Sequence, residues 1–251
     1  MGKHYKSNKK IFVLSILRIL FIIALIISII YIVKWYIDSK QNKELNEKIS
    51  ETTVTQSIKN EETKYEVNFE KLKETNKDTV AWIKVNGTDI EYPVVQATNN
   101  SYYLKRNFNK EKNKAGWIFA DYRNKLDGID KNIIIYGHNM KDNSMFGTLK
   151  NILNEEWYIN EDNYIINFVT EEKQHKYEVF SVYQIKNEDY YIKTDFAENE
   201  FAEFIQTLKS RSVKDFNVEI TSEDSILTLS TCANNYKYRI VLHARKIISE
   251  N

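Results

Sequence analysis

The stretch VAWIKVNGTDIEYPVV (residues 80–95) decides the fold class, because it contains two β-rich segments on either side of Asn86-Gly87. Asn-Gly between hydrophobic segments is the strongest short-range signal for a β-hairpin, since both residues tolerate the positive φ angles of a tight turn. The only proline, Pro93, is expected near a sheet edge or a bulge because it has no backbone N–H to donate. The stretch therefore predicts two antiparallel strands at the start of a β domain.

Six further segments downstream have the length and composition of strands. They are GWIFA (116–120), NIIIYG (132–137), NYIINFV (163–169), KYEVFSVYQI (176–185), SILTLST (225–231) and YRIVLHARKI (238–247). The segment ENEFAEFIQTLKSRS (198–212) instead repeats its apolar residues at helical spacing, with Phe201, Phe204, Ile205 and Leu208 on one face. Eight short strands with few interspersed helices predict a mainly β domain, a closed or nearly closed eight-stranded β-barrel with peripheral helices.

The N-terminal region predicts a membrane anchor. Residues 11–33, IFVLSILRILFIIALIISIIYIV, form an apolar run interrupted by two serines and one arginine. At about 1.5 Å of rise per residue, such a helix spans the roughly 30 Å hydrocarbon core of a bilayer. Lysines without acidic residues precede it, so the positive-inside rule predicts a cytoplasmic basic tail over 1–10 and an outer location for the remainder. We expect a single transmembrane signal-anchor helix over 11–37, with a cleaved signal peptide as the alternative.

Between this helix and the β domain, residues 38–66 are rich in charge and contain neither Gly nor Pro. This composition indicates an extracellular stalk that is helical in part. NFEKLKETN (68–76) then predicts a short amphipathic helix with Phe69 and Leu72 on one side. The globular domain is expected to occupy residues 67–251.

Composition excludes several classes of protein. Lys and Arg number 36 against 35 Asp and Glu, a formal charge of +1, which gives no indication of a nucleic-acid-binding protein. A single Cys excludes an internal disulfide framework, so the domain has to be stabilised by its core. We expect neither a metal nor a cofactor, because the histidines outside the anchor lack supporting ligand spacing.

The one cysteine, Cys232, ends the strand-like run SILTLSTC, in which apolar and hydroxyl side chains alternate. A nucleophile at the end of such a strand is exposed yet rigidly supported. In YRIVLHAR, a period of two places Arg239 and His243 on one face, and Arg239 comes nearest to Cys232 if the two strands are adjacent. The alternative is a buried structural thiol, since free Cys is among the most buried residue types.

Three histidines outside the anchor could exchange protons with this thiol. His138 ends the strand-like NIIIYGHN, where Gly137 allows a close approach and a polar loop begins, which is a typical position for a catalytic residue. His175 lies among charged residues and is expected in a solvated turn, and His243 lies mid-strand with an expected structural role. Spacing favours His138 over His243, and the absence of any functional histidine is the third possibility.

These segments together resemble a class B sortase. The resemblance is carried by TLSTC followed by YRIVLHAR, with IIIYGHNMKDNSMFGTLK upstream, and it extends through WIKVNGTDIEYPVVQ and YYLKRNFNKEKNKAGWIFADYRN to most of residues 67–248. The helices before the first strand and the helix over 199–211, between the sixth and seventh strands, also resemble class B. The implied fold is an eight-stranded sortase-type barrel.

The resemblance implies a membrane-anchored cysteine transpeptidase of Gram-positive bacteria. Such an enzyme cuts a C-terminal sorting signal of a secreted protein after threonine, through a thioacyl intermediate, and attaches the protein to an amine of peptidoglycan or of its lipid-linked precursor. By motif match, the catalytic residues are His138, Cys232 and Arg239. The residues implied at the peptide groove are Asn100, Tyr136, Tyr191, Ile192, Ser230 and Thr231.

Two other functions are compatible with the sequence. One is a membrane-tethered extracellular barrel that binds a peptide or a sugar and buries Cys232 as a structural residue. The other is a hydrolytic cysteine protease, although the order of His before Cys disfavours a papain-like enzyme, in which the cysteine comes first.

Overall fold

The computed structural model describes residues 2–59, 62–186, 188–197, 199–233 and 237–248. The chain divides into two compact units, Met1–Gln41 and Asn42–Asn251. The N-terminal helix, α1, has the bounds Gly2–Thr53. Over Lys10–Thr53 it has the length and apolar composition needed to cross a membrane. A helix suits that environment because its backbone hydrogen bonds are all internal.

Two small elements precede the barrel in the second unit. Strands β1 (Val54–Lys59) and β2 (Glu62–Val67) form an antiparallel hairpin. Helix α2 (Phe69–Thr75) follows, and the side chain of Asn68 caps it by accepting a hydrogen bond from the N–H of Lys71 at 2.9 Å. Both apolar residues of the predicted amphipathic helix are buried in the core, which confirms that helix.

Residues that precede α2 contribute to the core of the second unit. Asn42 is fully buried, and Ile49 and Tyr65 belong to the main hydrophobic core. The ring of Tyr65 lies 4.9 Å from that of Trp82, centroid to centroid. Parts of the segment predicted as a stalk, from Asn42 onward, therefore pack with the barrel.

Eight strands close the predicted barrel in the order β10-β8-β7-β3-β4-β5-β6-β9. Two neighbouring pairs, β4–β5 and β6–β9, are parallel, and the other pairs are antiparallel. The strands are β3 (Thr79–Val85), β4 (Glu91–Val95), β5 (Phe119–Ala120), β6 (Asn132–His138), β7 (Ile165–Thr170), β8 (Gln174–Lys186), β9 (Ile226–Ala233) and β10 (Tyr238–Lys246).

The predicted hairpin is confirmed, with a longer loop than the two-residue turn that Asn-Gly suggests. The N–H of Val85 donates to the carbonyl of Ile90 at 3.0 Å, which leaves residues 86–89 in the loop, and Gly87 has a φ of +69°. Pro93 lies in β4, which pairs with β5 at Val95 and not at the proline. The position therefore needs no N–H donor on the side of β4 that faces β5.

The helix predicted between the sixth and seventh barrel strands is α4 (Glu200–Ser210), and its four predicted apolar residues are all buried. Helix α3 (Glu155–Tyr158) is a single turn. Three 3-10 helices, Tyr102–Lys105, Gly147–Leu153 and Glu161–Tyr164, lie in the connections between strands. The helices are peripheral to the barrel, as predicted.

Candidate active site

Three adjacent strands bring the predicted catalytic positions together. Strand β6 pairs in parallel with β9, and β10 pairs with β9 from its other side. The register places His138 opposite Cys232, and Cys232 opposite Arg239. Neighbouring strands lie about 4.8 Å apart, so these positions form one row across the sheet. We call this row the catalytic row; it confirms that the strand carrying Arg239 returns beside the strand carrying Cys232.

Further predicted residues lie on the same face of these strands, because side chains alternate with a period of two. The next row of that face contains Tyr136 and Ser230, which are register partners. The row after it contains Thr228 and His243. The hydroxyl-bearing face predicted for β9 is therefore continuous with the catalytic row.

Gly137 allows β6 to approach its neighbours closely. A Cβ atom at this position would lie 2.5 Å from Cδ1 of Ile118 and 2.7 Å from Cγ of Phe146. Real Cβ atoms are not found at such separations, so a larger residue would displace β6 or its neighbours. The position of His138 at the end of β6 thus depends on the glycine that precedes it, as predicted from the sequence.

The imidazole of His138 is half-buried, and its Nε2 lies 2.8 Å from the carbonyl oxygen of Leu104. A carbonyl oxygen can only accept, so Nε2 carries the proton of this hydrogen bond. In the neutral ring, the other nitrogen, Nδ1, is then the basic one. Gly116 makes room beside the ring, since a Cβ there would lie 3.0 Å from Cδ2 of His138 and 2.5 Å from the carbonyl oxygen of Tyr103.

The other two predicted catalytic positions are described to different extents. Cys232 is described as a backbone position in β9, whereas its side chain and residues 234–236 lie outside the described part of the chain. Arg239 is half-buried in β10. Its guanidinium brings a positive charge to the catalytic row.

A buried carboxylate that was not predicted to take part in the groove holds two of the predicted groove residues. Asp121 is 0% exposed, and its Oδ2 accepts hydrogen bonds from the hydroxyl of Tyr136 at 2.8 Å and from Nδ2 of Asn100 at 2.9 Å. Nη2 of Arg123 lies 2.7 Å from the same oxygen, and Nε of Arg123 lies 2.8 Å from Oδ1. Oδ1 of Asn100 in turn accepts from the N–H of Tyr122 at 3.0 Å.

Electrostatics keep this carboxylate charged. Burial acts to raise the pKa of Asp121, but the hydrogen bonds from Arg123, Tyr136 and Asn100 outweigh it and hold the pKa below its usual range. Burial and the neighbouring Asp121 charge raise the pKa of Tyr136 well above its ordinary value. The tyrosine is therefore a neutral hydrogen-bond donor at physiological pH.

Side chains from elsewhere in the barrel hold three consecutive carbonyls between β8 and α4. Nδ2 of Asn132 lies 3.3 Å from the carbonyl oxygen of Tyr191 and 2.9 Å from that of Lys193. Nη2 of Arg123 lies 2.9 Å from the carbonyl oxygen of Ile192. We call these three residues the 191–193 segment; it contains two of the predicted groove residues and has a fixed backbone without belonging to a helix or strand.

The remaining predicted groove residues lie in β9. The hydroxyl of Tyr191 is 2.9 Å from Oγ of Ser230, and both residues are buried. Thr231 is also buried, and in a strand its side chain points to the opposite face from Ser230. Tyr191 and Ser230 are therefore brought together, whereas Thr231 lies on the other side of the strand.

His243 has a structural environment, as the sequence analysis expected. Oγ1 of Thr228 donates to Oδ1 of Asn132 at 2.7 Å, so Nδ1 of His243, 2.8 Å away, must donate to Thr228. Its Nε2 then accepts from the hydroxyl of Tyr183 at 2.9 Å, and that hydroxyl accepts from Tyr190 at 2.9 Å. Full burial lowers the pKa of His243 to about 3, so the ring is neutral.

His175 was expected in a solvated turn, but the structure places it within β8, half-buried opposite Phe168 of β7. Burial, with Lys246 and Lys173 nearby, lowers its pKa to about 4. The difference arises because β7 and β8 pair as far as Val169 and Gln174, so the turn lies before His175 and the histidine is part of the strand. Among the described residues, no group of three or more His, Cys, Asp and Glu side chains is placed to hold a metal ion.

Comparison with known proteins identifies the family. Residues 83–247 match the sortase domain family. The chain is 37% identical to sortase B of Staphylococcus aureus over 93% of this chain and 96% of the relative, and 39% identical to sortase B of Listeria monocytogenes over 70% and 72%. A crystal structure of sortase B from Bacillus anthracis superposes with a TM-score of 0.74 at 34% identity, covering 85% of this chain and 100% of that one. The chain therefore belongs to the sortase family, as a class B sortase and a cysteine transpeptidase.

Proposed function

We propose that this sortase cleaves a C-terminal sorting signal of a secreted protein after threonine and joins the new carboxyl group to an amine of the cell wall of a Gram-positive bacterium. Family membership supports transpeptidation in general. The observation that carries the proposal is the catalytic row, in which His138, Cys232 and Arg239 are direct register partners on adjacent strands. A binding module needs no such alignment of a histidine, a cysteine and an arginine.

In this proposal Nδ1 of His138 holds the proton of the Cys232 thiol, and the resulting thiolate attacks the carbonyl carbon of the threonine. A carbon–sulfur bond forms, the carbon–nitrogen bond of the scissile peptide breaks, and His138 gives a proton to the departing amine. The acceptor amine then attacks the thioester while His138 takes its proton, and the thiolate leaves. The Leu104 carbonyl orients the ring through Nε2, so Nδ1 is the nitrogen that exchanges the proton.

Arg239 supplies charge at the point where negative charge develops. Each of the two steps passes through a tetrahedral intermediate with an oxyanion, and a permanent guanidinium stabilises it through hydrogen bonds that water would otherwise provide. Its position next to Cys232 in the row supports this role.

We assign the peptide groove to Asn100, Tyr136, Tyr191, Ile192, Ser230 and Thr231. Tyr136 and Ser230 occupy the row beneath the catalytic row on the same face, and Tyr191 hydrogen-bonds Ser230. Asn100 and Ile192 join this group through Asp121 and Arg123. Thr231, on the other side of β9, contributes through its backbone.

The proposed setting is the cell membrane, crossed once. Residues 1–10 are the cytoplasmic basic tail and 11–37 the signal-anchor helix. Residues 38–66 are the extracellular stalk, parts of which pack on the catalytic domain over 67–251. The candidate membrane span of α1 and the basic residues before it support this topology. The acceptor is then an amine of peptidoglycan or of its lipid-linked precursor, both of which are available at the extracellular face of the cell membrane.

The experiment uses the full-length chain in detergent micelles with a panel of fluorogenic peptides that carry candidate sorting motifs. We expect the wild type to cleave at least one peptide after threonine, and Cys232→Ala to have no activity because it lacks the nucleophile. Added triglycine should divert the product from the free acid to the amide, as measured by mass spectrometry.

Two results would contradict the proposal. Cleavage that persists in Cys232→Ala would exclude the thioacyl route. Cleavage that depends on Cys232 but gives only the free acid at high triglycine concentration would indicate a hydrolytic cysteine protease. Circular dichroism of both proteins checks that the substitution leaves the fold intact.

A further inference from the structure

The buried carboxylate of Asp121 takes no part in the proposed chemistry. Its carboxylate follows β5 directly and is fully buried, and the donors that surround it come from Arg123, Tyr136 and Asn100. The backbone N–H of Arg123 also donates to Oδ1 at 3.0 Å. A carboxylate offers about four lone-pair sites, so this one is saturated by protein donors and has no capacity left for substrate.

The donors connect Asp121 to three parts of the proposed groove. Asn100 precedes a 3-10 helix, Tyr136 lies in β6 and Ile192 lies in the 191–193 segment. Asp121 contacts the first two directly and reaches the carbonyl oxygen of Ile192 through Nη2 of Arg123. Residues that are far apart in sequence thus share one buried charge.

The arrangement fixes the orientation of each group. The amide of Asn100 is held at both ends, since Nδ2 donates to Asp121 and Oδ1 accepts from the N–H of Tyr122. The guanidinium of Arg123 forms a bidentate pair with the carboxylate, a geometry that sets the plane of the guanidinium. From that plane Nη2 reaches Ile192. Asn100, Arg123 and Tyr136 all donate to the same oxygen of Asp121, so removing the carboxylate would remove the acceptor that the three side chains share.

We propose that Asp121 is a positioning residue for sorting-signal recognition: through Tyr136, Asn100 and the Arg123 bridge to Ile192, it holds the walls of the peptide groove at a fixed separation. This inference rests on the proposed function, because it takes these residues as the groove. Asp121 touches neither the catalytic row nor the peptide in this proposal. Its loss should therefore weaken peptide binding more than it slows the chemical step.

The test replaces Asp121 by asparagine, which has the same shape. An amide presents a donor on one side, so either orientation sets an N–H₂ group against the existing donors. We expect the full-length Asp121→Asn enzyme in micelles to show a KM raised about tenfold or more, with kcat within about threefold of the wild type. Cys232 should react with a methanethiosulfonate reagent at the wild-type rate, because the catalytic row is unchanged.

Two further variants sharpen the result. Arg123→Lys keeps the charge but cannot bridge the carboxylate and Ile192 with one planar group, so its KM should rise in the same way. Glu178→Gln is the matched control: Glu178 also pairs with an arginine, Arg245, at 3.2 Å, but this pair lies at the opposite end of β10 from the catalytic row. Its KM should stay at the wild-type value.

A binding measurement separates this inference from the proposed function. Fluorescence anisotropy of sorting-motif peptides on Cys232→Ala, with and without Asp121→Asn, needs no turnover. A Kd raised about tenfold by Asp121→Asn supports the positioning role even if the wild type proves not to cleave. Equal Kd values, the absence of peptide binding to Cys232→Ala, or a fall in kcat together with slower thiol labelling would overturn it.

Discussion

Arg239 shows how far the position of a single side chain could be predicted from the sequence. The alternation in YRIVLHAR predicted its face, and the register of β10 on β9 confirmed its place beside Cys232. Chain order and a period of two were enough for His138 and Arg239, because both lie on strands that neighbour β9. The contacts of Asp121 were not predictable, since Tyr136 and Asn100 lie 15 and 21 residues away in sequence and no periodicity relates them.

Replacing Arg239 by lysine tests the need for a planar guanidinium. The charge is kept, but the fork of donors is lost, so we expect kcat/KM to fall by about 100-fold, the effect of removing an oxyanion donor. Peptide cleavage assays give the value. Arg245→Lys, on the same face of β10 but at its other end, is the control and should lose less than twofold; equal losses in both variants would point to a general effect on the strand.

At the level of elements, the sequence predicted which strands exist better than where they end. GWIFA was predicted as a strand over 116–120, yet β5 contains Phe119–Ala120 alone. Gly116 has a φ of +62°, and Nε1 of Trp117 donates to the carbonyl of Pro93 at 2.9 Å, so this part of the chain turns before the strand begins. Strand ends depend on such contacts with partners, which local propensity does not contain.

Strand β6 gives a prediction at this scale, because its packing needs a residue without a side chain. Gly137→Ala places a Cβ against Ile118 and Phe146, and we expect it to lower the free energy of unfolding by about 1–3 kcal/mol. The shift of the strand end should also misplace His138 and reduce kcat/KM. Urea denaturation and peptide cleavage measure the two effects.

A second substitution distinguishes this collision from any other effect of alanine at position 137. Ile118→Val removes Cδ1, the atom closest to the added Cβ. The double variant Gly137→Ala/Ile118→Val should therefore recover part of both the stability and the activity. If the loss of stability in the double variant equals the sum of the losses in the two single variants, overpacking against Ile118 is not the cause.

For the whole molecule, the closed barrel was predictable from the number and spacing of short strands, but the buried polar network around His243 was not. His243 looked structural because it lies mid-strand, and it is fully buried between Thr228 and Tyr183. Only the closure of β10 onto β8 and β9 brings these partners together. The sequence likewise gave no sign that residues before α2 join the same core, because charged residues surround Ile49 and Tyr65.

The burial of neutral His243 predicts a pH dependence of stability. Its pKa is about 3 in the folded protein against 6.5 for the free side chain, so the unfolded state binds more protons between these values. The stabilisation is complete above pH 6.5 and is lost as the pH falls toward 3. Over this window the free energy of unfolding should fall by about 1.4 kcal/mol per pH unit from this residue alone.

Urea denaturation between pH 7 and 5 measures this slope for the wild type and for His243→Gln, which has no titrating group. The variant should be less stable throughout, and its slope should be smaller by the contribution of one histidine. His175→Gln is the comparison. His175 is half-buried with its pKa lowered to about 4, and solvent screens it, so this substitution should change the slope less than His243→Gln does. A wild-type slope in His243→Gln would show that the ring is not the source.

The catalytic row has a consequence for how such enzymes can diverge. Main-chain hydrogen bonds between β6, β9 and β10 set the spacing of its three positions, and these bonds depend little on which side chains surround them. The 191–193 segment, by contrast, is held by side chains that substitution can change one at a time. Under the proposed function, reaction chemistry and choice of cargo are therefore inherited through different parts of the chain, so that a lineage can acquire a new sorting signal without rebuilding the machinery that cuts it.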